Sequence, residues 1–230
     1  MLKRVSIIIC CFVFTFFFTN MQKGVSIAIP TMNIPVERKT VVIDAGHGEP
    51  DGGATTSDGI SEADINLKIA FKVEELLKKG GMNVVMTRKD ENSICDESAN
   101  TINEKKNSDI KKRVEIANNS NADIYVSIHL NKIPQKNYWG WQTFYQSKSE
   151  YSKKLASCIQ DALNISISNE NKRVPLKLDN TYIMKNVEIP TTTVECGFLS
   201  NDNEKKKLIT DDYQSKLAWG IYSGIMEYFR

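Results

Sequence analysis

Short apolar runs that end in glycine or a polar residue alternate with segments of helical apolar period, and this alternation limits what the chain can fold into. Residues 39–46 (KTVVIDAG) read as a strand buried on both faces. Residues 61–79 follow as a helix. Ser61 with Asp64 three residues on forms a capping-box pattern, Ile65, Ile69, Val73 and Leu76/Leu77 supply an apolar stripe, and Gly80-Gly81 stop it. Residues 83–88 (NVVMTR) predict a second strand, 89–107 a polar loop and 108–119 a helix. Residues 122–130 (ADIYVSIHL) and 139–146 (WGWQTFYQ) predict the third and fourth strands. A helix over 149–164, strands over 181–185 (TYIMK) and 191–198 (TTTVECGF), and a helix over 210–229 complete the pattern. The last helix carries Tyr213, Leu217, Ile221 and Ile225 at four-residue spacing. Such a chain buries a mostly parallel sheet between helices, so the expectation is one α/β domain of about six strands over residues 39–230.

The first 28 residues stand outside this pattern. Lys3 and Arg4 precede 14 almost uninterrupted apolar residues, 5–18 (VSIIICCFVFTFFF), which is export-signal length and short of the roughly 20 a spanning helix needs. Ser26-Ile27-Ala28 is a small-x-small cleavage triplet, although it lies well beyond the apolar run. The segment is expected to be a signal peptide or, if uncleaved, an N-terminal anchor and the chain's one contact with a membrane. Residues 29–38 (IPTMNIPVER) read as a linker. Charge follows the same division. The chain carries +2, but without Lys3, Arg4 and Lys23 its body has 27 basic residues against 28 acidic ones. A near-neutral body argues against nucleic acid as a partner. Three cysteines remain in an exported body, Cys95, Cys158 and Cys196, with no CxxC metal spacing.

The chain has only two histidines, and both fall where chemistry is expected. In open α/β sheets ligands bind at the carboxyl ends of the strands. Three expected strands end in His47, His129 and Glu195, and the helix fed by the first begins with Glu62. Two imidazoles and a carboxylate form a catalytic zinc set that leaves a position for water. A second carboxylate can then move protons between that water and a leaving amine. On chemistry alone Glu62 and Glu195 are interchangeable in these two roles.

Each residue also has an ordinary explanation. A histidine after a strand is commonly a hydrogen-bonded turn residue, and Glu62 suits a helix N-terminus. Glu195 is harder to account for, because a carboxylate inside TTTVECGF is costly to bury unless paired or functional. Cys196 reads as a small core residue, with a Cys–His nucleophile as its alternative. Trp139 and Trp141 fit either sugar stacking or strand packing, and Arg88 fits either a substrate carboxylate or a structural ion pair.

The motifs VVIDAGHGEPDGGA, SEADINL, ADIYVSIHLN and IPTTTVECGFLSNDNEKKKL resemble those of the zinc-dependent N-acetylmuramoyl-L-alanine amidases of the type-3 amidase family, over residues 39–230. The resemblance implies a three-layer α/β/α sandwich holding one zinc ion, with His47, Glu62 and His129 as ligands and Glu195 as the catalytic glutamate. It implies peptidoglycan as substrate, hydrolysed between N-acetylmuramic acid and L-alanine, in the cell wall or spore envelope. The short single-domain build is similar to the sporulation- or germination-specific amidases of spore cortex. Ala45 stands where the family usually has proline, and Glu49-Pro50 where Gly-x is common. Eight residues between Asn131 and Gly140 leave no room for the site-blocking helix of some relatives. Restraint would then come from an exported activating partner protein, metal supply or timing. A zinc peptidase acting within the stem peptide and an idle wall-binding module are the alternatives.

Overall fold

The computed structural model describes residues 38–167 and 171–230. The signal expected over 1–28 and the linker expected over 29–38, apart from its last residue, lie outside the described residues. Among those described, no helix is long and apolar enough to cross a membrane.

One six-stranded sheet runs through the domain: β1 (Thr40–Ala45), β2 (Asn83–Met86), β3 (Ile124–Asn131), β4 (Gln142–Tyr145), β5 (Leu176–Lys177) and β6 (Thr191–Phe198), in the order β2-β1-β3-β6-β4-β5. β2, β1, β3 and β6 are parallel, whereas β4 runs antiparallel to β6 and pairs in parallel with β5. The reversal follows from chain length. Ten residues join β3 to β4, fewer than the dozen or so that a parallel crossover needs.

Alternation along the strands sorts their side chains into two cores. Val41, Ile43 and Ala45 of β1 and Ile124, Val126, Ile128 and Leu130 of β3 face the larger core. Helices α1 (Glu62–Lys79), α3 (Glu150–Ile167) and α6 (Asp211–Tyr228) cover it. The expected stripe of α1 is buried there at Ile65, Ile69, Val73 and Leu77, while Leu76 is partly buried. α6 lies so close to α3 that a Cβ on Gly224 would be 2.4 Å from the Ile159 Cα. Val42 and Tyr125 point the other way, onto α2 (Ile102–Asn119) and the short α4 (Tyr182–Asn186), with Val114, Ala117 and Val187. α5 (Asp202–Leu208) follows β6. The result is a three-layer α/β/α sandwich whose second helical layer is the thinner one.

Four local expectations change. Residues 181–185 form α4 rather than a strand: Thr181 caps the turn by accepting from Met184 N, and Ile183 and Val187 reach the core at helical spacing. The fourth strand shrinks to β4, because Gly140 has φ +87° and ends the extended run. α2 starts at Ile102, six residues before the expected 108, because Thr101 and Glu104 close a capping box. Ser61 is an N-cap without a side-chain cap bond, its hydroxyl donating instead to Gly52 O at 3.0 Å.

Candidate metal centre and cleft

β1 delivers the chain to the carboxyl edge of the sheet, where His47 turns with φ +62°. That left-handed conformation costs a non-glycine residue about 1–2 kcal/mol, and the surroundings impose it through the main chain. Arg113 donates from Nη1 to Ala45 O (2.8 Å) and from Nη2 to His47 O (2.6 Å). Arg88 donates from Nε to Ala45 O (2.9 Å) and from Nη2 to Gly46 O (3.2 Å) and Ala63 O (2.7 Å). Three successive carbonyls are thus gripped by two buried guanidinium groups. Arg88 is neither a substrate clamp nor an ion-pair partner here; its hydrogen bonds go to backbone carbonyls.

Asp44 lies beneath the turn, fully buried, and accepts from Arg113 Nη1 (2.6 Å), Thr87 Oγ1 (2.7 Å) and Ser127 Oγ (2.5 Å). Burial opposes its charge, but Arg113 and the Ser127 hydroxyl hold the carboxyl well below the usual range. Asp109 completes the network by binding Arg113 Nε at 2.7 Å. A hidden aspartate at one strand position and an arginine inside a polar helix gave no sequence signal. Their mutual pairing, with the further hydrogen bonds to Thr87, Ser127 and Asp109, offsets the cost of burying both charges.

The expected ligands meet above this floor. Glu62 reaches across the sheet edge from the first turn of α1, its Oε1 lying 3.3 Å from His47 Nε2 and 3.0 Å from His129 Nδ1. Ala54 N and Leu130 N donate to the same carboxylate, at 2.8 and 3.0 Å. The three residues offer donor atoms that all lie within 4.8 Å of one another. Donors on a tetrahedral ion with bonds of about 2 Å lie a little over 3 Å apart, so this spacing suits a metal ion. Two glycines of the motif make the approach feasible. A Cβ on Gly46 would be 2.3 Å from the His129 ring, and one on Gly53 would be 2.7 Å from both Glu62 Oε2 and the His47 ring.

Charge in the cluster is strongly coupled. Burial disfavours charge on Glu62, but the hydrogen bonds from His129 and His47 drive its carboxyl well below the ordinary range. Burial likewise works against protonated His47, yet the Asp51 and Glu62 bonds raise it to about 9.

Glu195 stands beside His129 in the β3–β6 register. Its side chain faces the same cleft, and Oε2 is buried with no hydrogen-bond partner. Burial pushes this carboxyl up to about 7, against the pull of His129. The cleft has a volume of about 290 Å³ and opens on the face of the thinner layer. His47, His129 and Glu195 line one end, and Lys106, Tyr182 and Ile183 contribute to its walls. Cys196 points the opposite way into the larger core, where burial raises its thiol far above the usual range, so it has no access to the cleft. Trp141 is fully buried with Nε1 bonded to Asn164 Oδ1 (2.9 Å), whereas Trp139 is partly exposed.

The family described as N-acetylmuramoyl-L-alanine amidase matches residues 41–227. The germination-specific N-acetylmuramoyl-L-alanine amidase of Bacillus subtilis (strain 168) is 36% identical over 222 residues, covering 96% of this chain and 91% of that protein. The structure of the CwlD amidase from Clostridioides difficile, solved in complex with the GerS lipoprotein, is 44% identical with a TM-score of 0.81. That match covers 84% of this chain and 98% of the relative. The catalytic domain of CwlV, an N-acetylmuramoyl-L-alanine amidase from Bacillus (Paenibacillus) polymyxa var. colistinus, is 33% identical with a TM-score of 0.71, covering 83% and 98%. Fold, motif positions and these likenesses agree, and the chain belongs to the N-acetylmuramoyl-L-alanine amidase family.

Proposed function

We propose that this amidase hydrolyses the amide between the lactyl group of N-acetylmuramic acid and L-alanine in peptidoglycan, with one zinc ion held by His47, Glu62 and His129 and with Glu195 as its acid–base residue. The observation that carries the assignment is the Glu195 carboxylate facing the cleft beside a cluster of metal donors, its Oε2 buried without a hydrogen-bond partner. Two imidazoles and a carboxylate are the donors of many catalytic zinc sites. Zinc, when bound, supplies Lewis acidity toward the amide oxygen and lowers the pKa of water.

Glu195 receives the proton of the attacking water and returns it to the departing amine of L-alanine. The amide C–N bond breaks as the water oxygen joins the lactyl carbon. Burial raises this carboxyl above the ordinary range, which favours its taking up the proton. The ligand role for Glu62 is supported by its position between both histidines, 3.3 Å from His47 Nε2 and 3.0 Å from His129 Nδ1. Export to the wall or spore envelope, a role in spore cortex and an exported activating partner belong to the same proposal. The last is supported by the lipoprotein bound to the C. difficile relative.

Purified peptidoglycan digested with the enzyme should release stem peptides with a new N-terminal L-alanine. Chelation should stop this release and zinc should restore it. Release of shorter peptides would identify a peptidase, and binding without release a wall-binding module. Glu195→Ala should lower turnover by about 10²–10⁴-fold with zinc content retained. Loss of zinc from that variant would make Glu195 a ligand and overturn the role division.

A further inference from the structure

We propose that Asp51 is the positioning residue of His47, aiming its Nε2 at the metal site and raising the affinity of that site. This rests on the metal-holding reading of the cluster. His47 Nδ1 lies 2.9 Å from Asp51 Oδ2, on the side of the ring away from Glu62, while Nε2 lies 3.3 Å from Glu62 Oε1. With Nδ1–H donated to Asp51, the lone pair of neutral His47 is left on Nε2, facing the other donors.

Asp51 is itself held from two directions. Its Oδ1 accepts from Gly53 N at 3.2 Å and from Lys106 Nζ of α2 at 3.1 Å. Its main chain closes a reciprocal pair with Gly48, Gly48 N donating to Asp51 O (3.0 Å) and Asp51 N to Gly48 O (2.9 Å). These bonds fix the carboxylate over a histidine whose own backbone is in a left-handed turn. A carboxylate on the far nitrogen of a metal-binding imidazole fixes its tautomer and ring orientation and makes it a better donor. Losing such a partner typically weakens metal binding 10–100-fold.

The test measures zinc dissociation constants of the full chain by competition with a chromophoric chelator. Asp51→Ala should bind zinc about 10–100-fold more weakly than wild type and release it faster. Asp51→Asn, whose amide oxygen can still accept from Nδ1–H, should recover part of the loss, and Lys106→Ala should weaken binding less than Asp51→Ala. An Asp51 that merely staples its loop would lower the melting temperature of the metal-free protein and leave the zinc constant of the folded protein unchanged. That result overturns the proposal. If Asp51→Ala does not fold, Asp51→Asn decides: weaker binding supports the proposal and a wild-type constant overturns it. Failure of the wild-type chain to compete for zinc would instead refute the metal reading itself.

Discussion

Replacing Glu195 with glutamine should stabilise the metal-free protein, and the gain should grow with pH. Glu195 is half-buried with Oε2 sealed from solvent, and its carboxyl is raised from 4.5 to about 7. The folded state therefore binds this proton more tightly than the unfolded state does, so Glu195 costs stability as pH rises from 4.5 through 7. For a single site with those two values, the cost is about 1.4 kcal/mol at pH 5.5 and about 3.3 kcal/mol at pH 8. Glutamine does not titrate and escapes it. Any fixed penalty for burying an amide in place of a neutral carboxyl is common to both pH values, so the informative quantity is the increase between them, about 2 kcal/mol. Urea unfolding of wild type and Glu195→Gln, with chelator present, measures it directly. At pH 8 a gain of this size should raise the midpoint by roughly 1 M. A difference that does not vary with pH would mean that Glu195 is not held protonated by burial, and the acid–base assignment would lose its physical basis.

Other consequences follow from named contacts. Arg113→Ala should destabilise the fold by about 3–5 kcal/mol in urea unfolding, because Asp44 would keep a buried charge without its partner. Gly224→Ala should cost about 1–3 kcal/mol by the same measurement, since the added methyl meets the α3 backbone. Thr101→Ala should cost about 1 kcal/mol by removing one half of the α2 capping box. Thiol alkylation of the native protein should leave amidase activity intact and leave Cys196 unmodified by mass spectrometry; loss of activity matched to Cys196 labelling would move the chemistry to that thiol.

Periodicity and strand-end position carried the sequence reading far. The apolar run ending in His47, the one ending in His129 and the place of Glu195 inside an apolar strand each depend on local pattern, and the parallel register then brought them to one edge. What escaped depends on partners remote in sequence. Arg113 and Asp44 are 69 residues apart, and nothing local marks either as one of a buried pair. Residues 181–185 have strand-forming composition, but a threonine cap and two apolar residues at i and i+4 favour a helical turn against the thin layer. The Ser61–Asp64 pattern failed as a cap because a loop carbonyl nine residues earlier takes the hydroxyl. Asp51 was within the quoted motif, but its role depends on a ring orientation that spacing does not encode.

The two arginines that grip Ala45, Gly46 and His47 touch only main-chain oxygen atoms there. Such a grip is indifferent to which side chain stands at position 45, consistent with an alanine there in place of the proline usual in the family. It also sets a requirement for anyone transplanting this centre into another sheet. A graft of His47, Glu62, His129 and Glu195 alone would copy the proposed reactive groups but omit the scaffold that bends the host backbone into place. A portable unit would join those four residues to Arg88, Arg113, Asp44 and Asp51 and would keep glycine at positions 46 and 53, where a Cβ would strike the cluster.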